Sequence, residues 1–173
     1  KHYNLEIKNF YLMPIAVDLI HKELVDILIN DVQLLKLDLG LLIIDTMARN
    51  FSGEENSAKD TSMFIQNLDD LRDVLGCTIL IVHHSGKNEA SGARGSSNIY
   101  ASMDTSIQVA RVESVCVLTC DKQKDSAPFE QIEFEMQTVN SMDGESLVAV
   151  PTETSVDFTH DEQVYERLKT LLL

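Results

Sequence analysis

"LLIIDTMARN", residues 41–50, sets four aliphatic side chains, Leu41 to Ile44, directly before one carboxylate, Asp45, and a threonine, Thr46. The block 41–44 follows Gly40, is too short for a helix and is apolar on both faces, which is the composition of a strand inside a parallel sheet. The carboxylate then falls at the C-terminal end of that strand. Nucleotide-hydrolysing enzymes place an acid there to hold Mg²⁺ through water beside a triphosphate. A turn residue or a helix cap at the same place reads the same way in sequence.

Working outward, a polar loop with Gly53 is followed by a helical pattern over 57–75. Phe64, Leu68, Leu71 and Leu75 line one side of it, and Gly76 is the expected stop. "CTILIV", 77–82, reads as the next buried strand. A strand, helix and strand in this order form a crossover unit whose two parallel strands end on one edge. Ligands of open α/β sheets bind at that carboxyl edge, so Asp45 and the histidines of "VHHSGK", 82–87, are expected to face one crevice. Upstream, Leu24, Ile27, Leu28, Val32 and Leu35 predict an amphipathic helix over 21–35. "FYLM", 10–13, suits a short buried strand stopped by Pro14.

Past residue 98 the period changes to alternation, with strands expected at 104–110, 114–120, 130–138 and 146–150. "QIEFEMQT", 131–138, has one wet face and reads as antiparallel, so a mixed sheet is expected. The tail "DEQVYERLKTLLL", 161–173, has an acidic first turn and apolar residues at Val164, Leu168, Leu171 and Leu172. It predicts a terminal helix that docks on this domain or starts another.

The chain of 173 residues is 44% hydrophobic, enough for one domain with a sizeable core and short for two. No apolar run approaches the roughly 20 residues of a membrane span, and a soluble, cytoplasmic protein is expected. Cys77, Cys116 and Cys120 are an odd set among aliphatic neighbours, which favours buried free thiols over a disulfide framework. A net charge of −14 argues against a surface that coats nucleic acid indiscriminately, so any such contact must be local.

Three further stretches carry chemistry. A histidine ending the second strand can hydrogen-bond a γ-phosphate or a hydrolytic water, although a His pair is also a common structural feature. No Cys or carboxylate completes a zinc site at helical spacing. The loop "SGKNEASGARGSSN", 85–98, is glycine-rich and locally basic at Lys87 and Arg94, which suits the phosphates of single-stranded nucleic acid or an ordinary surface loop. In "CDKQKDSAPF", 120–129, Lys122 and Lys124 stand two apart and project from one strand face, where they can reach a neighbouring subunit's phosphate or simply be solvated.

Taken in order, "LLIID", "VHHSGK", "GARGSSNIYASMDTSIQVAR" and "DKQKD" resemble the C-terminal two-thirds of a RecA-like motor domain, most closely the RepA-type replicative helicases and related ATPases of plasmids and phages. The resemblance covers about residues 10–150 and implies an α/β fold with a partly parallel, mixed sheet flanked by helices. Residues 1–155 would form the C-terminal part of the ATPase domain and 156–173 a terminal helix or linker. The resemblance further implies ATP and Mg²⁺ as cofactors, a homo-oligomeric ring, commonly a hexamer, and translocation on single-stranded DNA. By position, Asp45 matches the Mg²⁺-coordinating acid, with Thr46 beside it in the cofactor site, and His84 matches the polar sensor of the γ-phosphate. Lys122 and Lys124 resemble the paired cations that reach the adjacent subunit's site, and Lys87 and Arg94 fall in the DNA-binding loop.

Two departures stand out. Where some RepA-type proteins place a trans arginine, this chain has Asp104, so either Lys124 or Arg94 serves instead or trans activation is weak. The phosphate loop G-x-x-x-x-G-K-[ST] is not among the 173 residues, nor is the family's catalytic glutamate. The chain therefore reads as a fragment, expected to be inactive alone. A recombination or repair ATPase and a non-catalytic RecA-like scaffold are the competing readings.

Overall fold

The computed structural model describes residues 9–84, 97–141 and 144–152. They divide into two compact units, residues 13–103 and residues 104–152 together with 9–12. Length and apolar content favoured one domain. Two units arise because the antiparallel strands hydrogen-bond among themselves in a four-stranded sheet, apart from the two-stranded parallel one. The single mixed sheet expected from the strand order is corrected accordingly.

In the unit 13–103 the elements are α1 (Lys22–Leu34), β1 (Leu41–Asp45), a 3₁₀ turn at Met47–Arg49, α2 (Ala58–Leu75), β2 (Thr78–Val82) and α3 (Ser97–Ser102). Helix α2 starts where the Ser57 hydroxyl accepts the Asp60 backbone N–H and stops where Gly76 turns left-handed at φ 64°. Glycine reaches that conformation without the cost a Cβ brings. Phe64, Leu68 and Leu71 are buried, as their spacing requires, and Phe64 meets Phe51 edge-on at 5.1 Å between ring centres.

Helix α1 buries Val25, Leu28 and Ile29, with Val32 packed alongside. Leu24 and Ile27, expected on the core face, are exposed, Ile27 by 55%. Residues 25, 28, 29 and 32 form an i, i+3, i+4, i+7 stripe as good as the one beginning at Leu24, and packing against α2 selects between them. "FYLM" is a second correction. Residues 10–13 form no strand, and Phe10, Tyr11, Leu12 and Met13 are all exposed. A β-period without a neighbouring strand to take its hydrogen bonds has nothing to hold it extended in a sheet.

Strands β1 and β2 pair in parallel, Leu41 with Thr78 through Asp45 with Val82. Ile44 is buried and Leu42, Ile79 and Ile81 pack against the helical core. The opposite face, carrying Leu41, Ile43 and Leu80, is exposed, so burial is one-sided where the composition indicated two sides.

The second unit is a meander of β3 (Thr105–Val112), β4 (Val115–Gln123), β5 (Ile132–Ser141) and β6 (Gly144–Pro151), neighbours in sequence being neighbours in the sheet. The alternation of 131–138 does sort its two faces. Ile132, Phe134 and Met136 share a side with Leu118 and Cys116, while Glu133, Glu135 and Gln137 lie on the other. Burial did not follow: no described side chain of 104–152 is fully buried. The expected tail helix, 161–173, lies outside the described residues.

Candidate functional site

Asp45 closes β1 and is exposed. Because it pairs in register with Val82 on the adjacent parallel strand, the two sit roughly 4.8 Å apart on one face of the sheet. His83 and His84 follow at once, both exposed, and His84 is two residues beyond Val82. Acid and imidazole therefore leave the same carboxyl edge. Both side chains are exposed, and neither has a hydrogen bond or ion pair among the described residues.

The loop after Asp45 is tied down by its own backbone and by one amide. The Asp45–Thr46 peptide is cis. Half-buried Thr46 leads the 3₁₀ turn, and its carbonyl accepts the Arg49 N–H at 3.1 Å. The same carbonyl accepts Asn50 Nδ2 at 2.8 Å, while Asn50 Oδ1 accepts the Val17 N–H at 2.9 Å. Asn50 thus staples the strand-tip loop to the segment entering α1. Sequence reasoning passed over it. Its signal, an amide closing a short loop after a buried strand, is one that turns share generally.

Asp18 adds a second tie. Burial alone would push its carboxyl up, but hydrogen bonds from Ser52 and from the Ile20 N–H, with the nearby His21, outweigh it and hold the carboxyl below its ordinary value. Asn67, buried in α2, donates to the Leu19 carbonyl at 2.8 Å. Gly53 completes the packing: a Cβ there would lie 2.8 Å from Ile20 Cδ1 and 2.8 Å from Asp60 Cβ. The loop beyond β1 is therefore held on several sides.

Lys122, half-buried, and Lys124, exposed, belong to the other unit, at the end of β4. Lys124 Nζ pairs with Asp104 Oδ1 at 3.1 Å, and its backbone N–H donates to the Asp104 carbonyl. The acid that replaces the trans arginine in the motif order is thus the partner of the lysine offered as its substitute. An exposed pair of this kind is worth about 0–1 kcal/mol and separates easily. Lys87 and Arg94 lie outside the described residues.

No group of three or more His, Cys, Asp or Glu able to hold a metal is found among the described residues. A single carboxylate at a strand tip still fits Mg²⁺, which keeps several waters and takes one or two carboxylates plus substrate phosphates. All three cysteines are free, Cys77 buried and Cys116 and Cys120 half-buried. No helix among the described residues is long and apolar enough to cross a membrane.

A family model described as an AAA domain matches residues 10–90, the stretch that holds Asp45 and both histidines. The match supports an ATPase domain of the AAA/RecA-like kind there, and with it nucleotide binding. The parallel and antiparallel sheets with few helices are compatible with such a domain. No curated protein matches the chain.

Proposed function

We propose that the protein is an ATP-driven motor on single-stranded DNA, of the RepA-type replicative helicase kind, and that this chain is the part carrying the acid and the sensor. The observation that supports it is the register of Asp45 with Val82, which sends an acid and an imidazole from adjacent strands to one sheet edge. Asp45 would hold Mg²⁺ through water, with Thr46 beside it. His84 would hydrogen-bond the γ-phosphate or the attacking water and pass its state to the loop that follows. The phosphates themselves would be cradled by a phosphate loop not contained in these residues. In a ring of copies, probed as a hexamer, Lys124 or Lys122 would reach the neighbouring subunit's triphosphate, Lys124 after leaving Asp104; a cation supplied in trans is worth about 10³–10⁵ in rate.

The test is ATP hydrolysis by the full-length gene product, shown to carry a phosphate loop, with and without single-stranded DNA. Stimulation by DNA, lost in Asp45→Asn and uncoupled from DNA in His84→Ala, is the expected result. No hydrolysis with any single-stranded DNA would refute the motor and leave a RecA-like scaffold, while hydrolysis without unwinding of a forked duplex would favour a recombination or repair ATPase.

A further inference from the structure

Of the three arginines among the described residues, two are taken. Arg72 bridges Asp69 and Asp73, both at 2.9 Å, and Arg111 donates to the Glu113 carbonyl at 3.1 Å. Arg49 is exposed, and its guanidinium has no hydrogen bond or ion pair among the described residues. It closes the 3₁₀ turn four residues after Asp45, and the two opposite charges do not pair although one short loop carries both. We propose that Arg49 binds the phosphate tail of the nucleotide whose Mg²⁺ Asp45 would hold, an assignment that rests on the reading of Asp45 given above.

The backbone beneath this guanidinium is fixed. Its own N–H donates to the Thr46 carbonyl at 3.1 Å, the nearby Met47 is fully buried, and the Asn50 amide bonds to both Thr46 and Val17. A cation on such a base loses less freedom on meeting an anion than one on a loose loop. A turn closed by an i to i+3 hydrogen bond brings its ends within about 7 Å, which keeps the root of the Arg49 side chain beside Thr46, the neighbour of Asp45. The chain has 28 acids to 14 lysines and arginines, so a partner for the guanidinium would be easy to supply from within, and none is supplied among the described residues. An unpaired acid and an unpaired guanidinium at one strand tip suit a ligand that itself carries both signs. The acid takes a water of the divalent cation, and the planar fork of the guanidinium takes two phosphate oxygens. Beside a DNA backbone phosphate, which brings no metal of its own, Asp45 would stand as a repelling charge next to the same fork.

The test uses the full-length gene product and a non-hydrolysable ATP analogue with Mg²⁺, titrated calorimetrically so that binding is read without turnover. Arg49→Ala should weaken binding by about tenfold, the loss of one hydrogen bond to a charged group, and Arg49→Lys, which keeps the charge and loses the fork, by less. Thermal unfolding without nucleotide should be the same in Arg49→Ala as in wild type; a lowered midpoint would give the side chain a structural role and overturn the proposal. Lys36→Gln removes an equal charge from an exposed position ahead of β1 and should bind like wild type. A matching loss there would reduce Arg49 to a share of the net charge, against the assignment. Unchanged affinity in Arg49→Ala would overturn it outright. If Asp45→Asn still weakened Mg²⁺-dependent binding, the reading of Asp45 would stand and Arg49 alone would be dismissed; if Asp45→Asn were equally silent, both would fall. Unchanged nucleotide affinity with weaker binding of a single-stranded oligothymidylate, read by fluorescence anisotropy, would place the guanidinium on DNA and equally overturn the proposal.

Discussion

Replacing Asn50 with alanine removes two hydrogen bonds at once, the 2.8 Å donation to the Thr46 carbonyl and the 2.9 Å acceptance from the Val17 N–H. Each is part-buried, so the stranded backbone groups regain only some hydration. A net hydrogen bond contributes about 0.5–1.5 kcal/mol, and an orphaned partner costs about 1–3 kcal/mol. Two such bonds, partly rehydrated, put the loss at about 2 kcal/mol. The Asn50 backbone contacts, its N–H to the Met47 carbonyl and its carbonyl to the Leu19 N–H, survive the change, which keeps the perturbation local. Urea unfolding followed by the helical far-ultraviolet signal reads it out. With a slope of about 2 kcal/mol per molar urea for a unit of this size, the midpoint should fall by about 1 M at unchanged slope. Asn50→Asp keeps the acceptor for Val17 and loses the donor to Thr46, so it should fall in between. A midpoint within about 0.2 M of wild type for the alanine variant, well inside the scale set by those bonds, would show that Asn50 does not hold the loop.

Other outcomes follow from the same packing. Gly53→Ala should destabilise by about 1–3 kcal/mol in urea, because the new methyl meets Asp60 Cβ and Ile20 Cδ1 at 2.8 Å, the first the base of its side chain and the second a tip confined by burial. Gly76→Ala meets no atom within 4 Å but must adopt φ 64°, so calorimetry should show a loss of about 1–2 kcal/mol that comes from the backbone alone. Phe64→Ala, at a fully buried position against Phe51, should cost about 3–5 kcal/mol and take the helical signal with it. Asp18 has a lowered carboxyl pKa in the folded chain, so its contribution is present above the unfolded value of 3.8 and disappears as pH falls through the folded one. Stability curves of wild type and Asp18→Asn should therefore separate at neutral pH and converge in acid.

Much of the unit 13–103 could be read from residues alone. Ser57, the Phe64–Leu75 spacing and Gly76 each specify local geometry, and α2 begins, faces inward and ends where they indicate. The carboxyl-edge position of Asp45 followed from one apolar block and a handedness rule. What could not be read were choices made by partners. Helix α1 has two acceptable apolar stripes, and only its neighbour selects Val25 over Leu24. The residues "FYLM" carry strand composition without a strand to pair with. In β5 the alternation of Glu133, Phe134 and Glu135 tells the faces apart but says nothing of what covers them. Asn50 was invisible for a related reason, since its two partners, Val17 and Thr46, are joined only once the chain has folded. The Lys124–Asp104 pair is of the same kind, a contact between residues 20 apart, just outside β3 and β4, that no local pattern announces.

The uncovered side of the β1–β2 ladder has a consequence for handling the protein. Leu41, Ile43 and Leu80 form a flat, greasy plane beside ladder edges that no other strand among the described residues pairs with, a template for adhesion between molecules. Mutual repulsion from 14 excess negative charges is what opposes that adhesion at neutral pH. Solutions should therefore cloud as acid brings them toward pH 4.6, where that repulsion vanishes, and should clear least readily at high salt, which screens it.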